Sequence, residues 1–222
     1  MNTLTDLQQK FLKGSYVRSI NYHNTPVVRV REYEKQLAFY SQYFCGVSEE
    51  DLALFLTTGR WHKDKPGLIH AFYNGYRNNY DVMKAPLENY GFIGWFFIPT
   101  AFASLKQKQL EFAEKHTIRV IANEYTDGRY ALNWQEIKEL DKKHVIASHT
   151  KTHSPIAEDS VVDIEREILG SQTDFAHYLG HKVSSFAWLS GSPYGVQKKA
   201  DRYLLEAGYQ YLFSNFKIQK LA

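Results

Sequence analysis

The chain has only one cysteine, Cys45, among its 222 residues, which excludes an internal disulfide. It also lacks any apolar run that approaches the length of a membrane span, and its first residues contain no apolar core of the kind that a secretory leader needs. We therefore expect a cytoplasmic chain without a membrane span, in which Cys45 is a buried, unreactive thiol. A disulfide-free secreted protein would have the same features.

An excess of charge of one sign is also missing. The 27 Lys and Arg residues nearly balance the 24 Asp and Glu residues, and the basic residues form no cluster, so we expect no nucleic-acid partner. Aromatic residues, in contrast, are many, with 16 Tyr, 14 Phe and 4 Trp. They suit a heavily packed core or a cleft that stacks on flat ligands such as sugar rings. No linker or low-complexity tract interrupts the chain, so we expect a single domain over residues 1–222.

Short β-rich runs alternate with amphipathic stretches of helical period. The predicted strands are 16–23, 67–73, 92–99, 118–122, 144–150, 183–188 and 209–215. The predicted helices are 32–44, 48–59 with Ser48 as its cap, 105–116, 133–143, 158–180 and 197–208. This alternation predicts an α/β fold, a single deformed (β/α) barrel of about seven parallel strands, closed or nearly closed.

In such barrels the chemistry lies at the carboxyl ends of the strands. The polar residues at these ends are His23, Tyr73 with Asn74, and His149 with His153, and the loop after Trp188 is a further candidate. We expect them to converge on one cleft.

Two pairs among the nine histidines are spaced four residues apart. His177 and His181 have Gly180 between them, which is typical of a helix end rather than of a shared face. His149 and His153 follow a predicted strand, so they are candidates for a metal chelate, because neutral imidazoles bind borderline divalent metals well. The spacing alone is also compatible with surface histidines in a turn.

Four blocks of the sequence, in order, resemble the polysaccharide deacetylases, which are metal-dependent carbohydrate esterases. These blocks are "SINYHNTP", the core "GLIHAFYNGY" with "FFIPT", the stretch "LNWQEIKELDKKHVIASHTKTHSPI", and "VSSFAWLSGSPYG". The resemblance covers residues 16 to 215. It implies the deacetylase fold, an acetylated oligo- or polysaccharide as substrate, and a divalent metal such as zinc.

The resemblance places the family's two metal-binding histidines on His149 and His153, and its Asp-Asp pair on Tyr73 and Asn74. In the family the first aspartate is the general base and the second is a metal ligand. Neither position is acidic here, so we expect the metal, held by His149, His153 and Asn74, to be weakly bound or absent. Tyr73 is a poor base unless a cation lowers its pKa.

Further departures concern the rest of the catalytic set. The residues "LSGS" lengthen the loop between Trp188 and Pro193, which affects the backbone N–H that the family uses to hold the oxyanion. The family's late histidine falls beyond Ala222, so another histidine would have to serve. His23 is the favoured candidate, since His70 fits a packed core better.

Two main functions remain open at this stage. The first is a hydrolase with weakened or altered deacetylase chemistry, in which Tyr73 and His23 are catalytic and Glu124 or Asp127 is a substitute carboxylate. The second is a catalytically inactive saccharide-binding or scaffold protein. In both cases the predicted substrate-binding residues are Tyr76, Trp188, Pro193 and Tyr194. An ordinary β/α protein that binds an unrelated small molecule is a third reading.

Overall fold

The computed structural model describes residue 9, residues 12–153, residue 155 and residues 161–221. Its strands are β1 (Val17–Tyr22), β2 (Cys45–Gly46), β3 (Gly67–Tyr73), β4 (Gly94–Ile98), β5 (Val145–Ser148), β6 (Ser185–Ala187), β7 (Tyr211–Phe213) and β8 (Ile218–Lys220). Its helices are α1 (Val30–Tyr43), α2 (Glu49–Thr58), α3 (Arg77–Asn89), α4 (Thr100–Ser104), α5 (Gln109–Lys115), α6 (Trp134–Leu140), α7 (Val161–Leu179) and α8 (Lys198–Ala207). A 3-10 turn at Val27–Arg29 precedes α1.

The strands form one curled sheet in the order β1-β3-β4-β5-β6-β7-β8, and β2 pairs with the start of β3. Every pairing is parallel except that of β7 with β8, which is antiparallel. The predicted α/β fold with a mostly parallel barrel-like sheet is confirmed. Within the described residues β1 does not pair with β8, so the sheet is a half-barrel rather than a closed one.

Local sequence signals account for several element ends. The Ser48 side chain accepts from the Asp51 N–H at 3.1 Å, and the Asp51 carboxylate accepts from the Ser48 N–H at 2.8 Å, so a capping box starts α2. Gly59, at a φ of 67°, ends the same helix in the left-handed conformation that glycine adopts without strain. Asn133 and Glu136 form an equivalent capping box at the start of α6.

The structure corrects some of the predicted elements. The run 118–122 is not a strand but part of an irregular segment, because no described strand lies beside it to complete its hydrogen bonds. Helix α3 was not predicted, since Pro86 inside it removes a backbone donor, yet this proline is buried and the helix continues to Asn89. The short helix α4 and strand β8 were also missed. The start of the predicted helix 158–180 lies outside the described residues.

Alternate residues of the strands pack into separate hydrophobic clusters on the two faces of the sheet. On β3, Leu68 and Phe72 belong to the larger cluster, which the helices cover, whereas Ile69 and Ala71 belong to the cluster inside the half-barrel. Trp95 lies in this inner cluster and is fully buried. The interior is therefore filled up to the carboxyl ends of the strands, where it opens into cavities. Among the described helices, none combines the length and the apolar character that crossing a bilayer requires.

Candidate functional site

A cavity of about 460 Å³ lies at the carboxyl ends of β1, β3 and β5. Its described lining residues are His23, Asn24, Asn74, Tyr76, Thr117, Arg119, His149, His153 and Leu189. A second cavity, of about 120 Å³, shares His23, His149 and Leu189 with the first, and adds Tyr73 and Trp188 among others. The predicted residues of the strand ends are thus brought together, as the β/α architecture requires.

The two histidines after β5 have the same hydrogen-bonding arrangement. The Nδ1–H of His149 donates to the Ala187 carbonyl oxygen at 2.8 Å, and the Nδ1–H of His153 donates to the His116 carbonyl oxygen at 2.7 Å. Their ring centroids lie 5.1 Å apart. Each ring therefore keeps the lone pair of its Nε2 for a ligand in the cavity, the arrangement that metal-binding histidines commonly have.

Burial keeps both of these imidazoles neutral. It lowers the pKa of His149 to about 3, and it also lowers the pKa of His153 below its usual value. In His149 the neighbouring His153 adds to this effect, while the hydrogen bond to Ala187 partly opposes it. Neutral imidazole is the form that binds a metal ion or accepts a proton.

A buried carboxylate shapes the loop between the two histidines. Glu167 on α7, which is 1% exposed, accepts from the N–H of Lys151 at 3.0 Å and from the N–H and the hydroxyl of Thr152, each at 2.7 Å. Thr150 and His153 adopt left-handed backbone conformations, at φ values of 68° and 57°. Sequence reasoning missed Glu167, because no local motif links a residue on α7 to this loop.

Asn74 contributes a buried amide to the cavity. It lies in a left-handed conformation at a φ of 73°, and its Nδ2 donates to the Tyr76 hydroxyl at 3.2 Å. Its Oδ1 is buried and has no hydrogen-bond donor among the described residues. A buried acceptor without a donor costs free energy, so this oxygen is suited to a ligand that supplies a proton or a positive charge.

The cavity brings together three atoms that could coordinate a divalent metal ion. Nε2 of His149, Nε2 of His153 and Oδ1 of Asn74 are chemically suitable for a borderline ion such as zinc. None of the three is anionic. Within the part of the chain that the structure describes, no group of three His, Cys, Asp or Glu side chains is arranged to hold a metal ion.

His23 lines both cavities, and Tyr73 lines the smaller one. The Tyr73 ring stacks on Phe97, with centroids 4.8 Å apart and planes 10° apart, and lies 5.3 Å from the His149 ring. Burial raises the pKa of the Tyr73 hydroxyl, so it stays protonated at neutral pH and can donate a hydrogen bond, but it does not act as a base. The His23 ring lies 5.8 Å from Tyr73, and burial lowers its pKa, so it is neutral and able to accept a proton.

The aromatic residues predicted to bind a saccharide do not form an open stacking surface. The Tyr76 ring is 2% exposed and packs in a cluster with Phe102 and Tyr130, and the Trp188 ring is 3% exposed and packs against Phe186. Tyr76 reaches the cavity, and Trp188 lines the smaller one, but most of each ring is covered by protein.

The Pro-Tyr-Gly segment also departs from the prediction. Neither Pro193 nor Tyr194 is among the described residues that line the two cavities. The Tyr194 side chain packs against the large hydrophobic cluster, and its backbone N–H donates to Gln219 Oε1 at 2.9 Å. Leu189, directly after Trp188, lines both cavities instead, because the four residues between Trp188 and Pro193 carry Pro193 and Tyr194 away from the strand end.

The two predicted substitute carboxylates have hydrogen-bond and ion-pair partners outside the cavities. Glu124 accepts from the Val27 N–H and from Asn78 Nδ2, each at 2.9 Å. Asp127 pairs with Arg77, at 2.8 Å. Neither acid is among the described residues that line the cavities, so this geometry gives no support to either as a base.

Comparison with known families and structures agrees with this fold. The sequence profile of the polysaccharide deacetylase family matches residues 62–212. No curated protein matches the chain in sequence. Among solved structures, IcaB from Ammonifex degensii is similar with a TM-score of 0.67 and 18% identity, covering 91% of this chain and 84% of that one. The Streptococcus pyogenes deacetylase PplD is similar with a TM-score of 0.66 and 15% identity, covering 92% and 86%. A de-N-acetylase from Aggregatibacter actinomycetemcomitans has a TM-score of 0.66 and 14% identity, covering 94% and 92%.

Proposed function

Because the chain belongs to the polysaccharide deacetylase family, we propose that it acts on an acetylated oligo- or polysaccharide as a deacetylase-like hydrolase whose chemistry is weakened or altered. The observation that carries this proposal is the shared cavity of His149, His153 and Asn74. Both histidines are oriented by backbone carbonyls, and the amide oxygen is buried without a donor. Two histidines with a purely structural role would not have to line the same cavity.

A metal ion is the first requirement of the usual chemistry. We assign its ligands to Nε2 of His149, Nε2 of His153 and Oδ1 of Asn74. When bound, a divalent ion such as zinc supplies Lewis-acid polarisation of a carbonyl group. All three donors are neutral, so we expect the occupancy to depend on added metal, because affinity falls without an anionic ligand.

A proton acceptor is the second requirement, and we assign it to His23. Its imidazole is neutral and lies at the mouth of both cavities. Hydrolysis transfers the acetyl group from the saccharide to water, so a base must take a proton from the attacking water and return it to the leaving nitrogen or oxygen. Tyr73 keeps its proton and is placed to donate a hydrogen bond to the substrate.

An acetate-release assay tests this proposal. The substrates are an N-acetylglucosamine hexamer and an O-acetylated xylan oligomer, each assayed with and without added zinc. We expect slow release by the wild type that depends on zinc, and a loss of at least about tenfold in His23→Gln and His149→Ala. The exposed His62→Gln variant is the control and should keep the wild-type rate. Saccharide binding without acetate release would assign the protein to the inactive, saccharide-binding class instead.

A further inference from the structure

The charge of the larger cavity is unusual for a site that binds cations. Among its described lining residues there is no Asp or Glu, and the one permanently charged side chain is Arg119. The histidines that line it contribute no negative charge in any protonation state. A cavity with one guanidinium and no carboxylate attracts anions, since no group among its described lining residues repels them.

The backbone that carries Arg119 is held at the cavity wall. The Asn24 side-chain amide donates to the Arg119 carbonyl oxygen, and the preceding residue, Ile118, is buried in a hydrophobic cluster. Three residues before Arg119, the His116 carbonyl oxygen accepts from His153 Nδ1–H at 2.7 Å. The segment is thus attached both to the end of β1 and to the loop after β5, so the arginine extends from a fixed point.

The guanidinium of Arg119 has no carboxylate within 4 Å among the described residues. The two acids of its own loop already have partners. Glu124 accepts from the Val27 N–H and from Asn78, and Asp127 pairs with Arg77. Arg77 and Arg129 each pair with an acid on or near this loop, whereas Arg119 is left facing the cavity. A planar guanidinium binds oxyanions through two parallel hydrogen bonds.

We propose that the cavity takes an acetylated saccharide carrying a negatively charged oxyanion, a carboxylate or a sulfate ester, and that Arg119 is the residue that selects it. This inference rests on the proposed function, because it names the substrate class of the same cavity. The neutral residues at positions 73 and 74 are part of the selection. Two carboxylates there would oppose an anionic ligand, and Tyr73 and Asn74 do not.

Calorimetric titration of the full chain with three tetrasaccharides tests the inference. The first is an N-acetylglucosamine tetramer, the second alternates N-acetylglucosamine with glucuronic acid, and the third is the neutral tetramer with sulfate esters. At low salt we expect the wild type to bind one or both acidic tetramers about three- to tenfold more tightly than the neutral one. This preference should shrink in 0.5 M salt, where charges are screened.

Variants assign the preference to a residue. Arg119→Gln should remove it, and Arg119→Lys should keep part of it, because lysine retains the charge without the paired donors. Arg31→Gln, which removes the same charge from an exposed position on α1, should keep the full preference. Equal affinity of the wild type for neutral and acidic tetramers, or a preference that survives Arg119→Gln, overturns the inference while leaving the proposed function intact. Failure to bind or deacetylate any of the three overturns both.

Discussion

The Nδ1–H of His149 donates to the Ala187 carbonyl oxygen at 2.8 Å, which ties the residue after β5 to the last residue of β6. This hydrogen bond fixes the tautomer of the ring and directs Nε2 away from the backbone. It depends on the sheet and not on a bound ion. The histidine pair therefore keeps a ligand-binding geometry without a carboxylate among the described residues that line the cavity.

Replacing the amide at position 74 by a carboxylate should strengthen metal binding. Asn74→Asp gives the two neutral imidazoles an anionic partner in place of Oδ1, so we expect the affinity for zinc to rise about tenfold or more. Competition with a chromogenic chelator measures it. Asn89→Asp, the same change at the exposed end of α3, is the control. An unchanged affinity in Asn74→Asp would remove Asn74 from the ligand set.

Glu167 should prove necessary for the loop that carries His153. Glu167→Gln removes the charge that accepts hydrogen bonds from Lys151 and Thr152, so we expect the free energy of unfolding to fall by about 1–3 kcal/mol. Urea unfolding measures this change. Glu165→Gln, an exposed position on the same helix, should change the stability by less than about 0.5 kcal/mol. Equal effects of the two changes would mean that the buried hydrogen bonds do not stabilise the loop.

The protein should lose stability in mild acid through its buried histidines. Burial lowers the pKa of His70 to about 3, and it is fully buried in the core. The unfolded chain binds this proton at an ordinary pKa near 6.5, so the contribution of His70 is complete above pH 6.5 and falls as the pH drops towards 3. The expected slope is about 1.4 kcal/mol per pH unit for this residue.

His70→Phe should reduce that slope, because phenylalanine fits beside Phe92 and Tyr22 and does not titrate. Urea unfolding between pH 4 and pH 8 measures the profile. The contribution of His181 to stability should have the opposite pH dependence. Its pKa is raised by the Asp141 carboxylate, so its contribution is present below pH 6.5 and is lost as the pH rises. His181→Gln should therefore lower the free energy of unfolding more at pH 5.5 than at pH 8. If His70→Phe left the pH dependence of the free energy of unfolding unchanged, the loss of stability in acid could not be assigned to His70.

The sequence was sufficient for six of the eight strands, all but β2 and β8, and for the place of the histidine pair at a strand end. Buried strands such as β3 carry continuous apolar runs, and parallel β/α order brings their ends together, so His23, Asn74 and His149 could be placed in one cleft from their positions alone. The segment 118–122 was misread because β-branched residues favour strands only where a neighbouring strand exists. Propensity carries no information about that neighbour.

The residues that form the wall of the cleft were much less predictable from the sequence than the residues at the strand ends. Arg119 lines the cavity from an irregular segment, whereas Glu167 binds the loop before His153 from a helix. No spacing in the sequence relates either of them to His153. The buried positions of Tyr76 and Trp188 depend on tertiary packing in the same way. Residue type indicated their chemistry, but it did not indicate which side of each ring is covered.

Tyr73 should tolerate loss of its hydroxyl but not of its ring. Tyr73→Phe preserves the stack on Phe97 and should cost less than about 1 kcal/mol, whereas Tyr73→Asp removes the ring and puts a carboxylate against Phe97, and should cost about 2–4 kcal/mol. Urea unfolding of both variants without metal measures the costs. If Tyr73→Asp were as stable as the wild type, the aromatic contacts of Tyr73 would be of little energetic importance.

The stack of Tyr73 on Phe97 also bears on how the cleft can evolve. An acidic residue is acquired easily at a position that is open to water, but position 73 holds a ring that packs on Phe97 of β4 and lies 5.3 Å from the His149 ring. A change to aspartate at position 73 must first survive the loss of this packing. Selection acting on single substitutions therefore meets a barrier against an acidic residue at this position, and descendants of the chain are expected to keep an aromatic ring there.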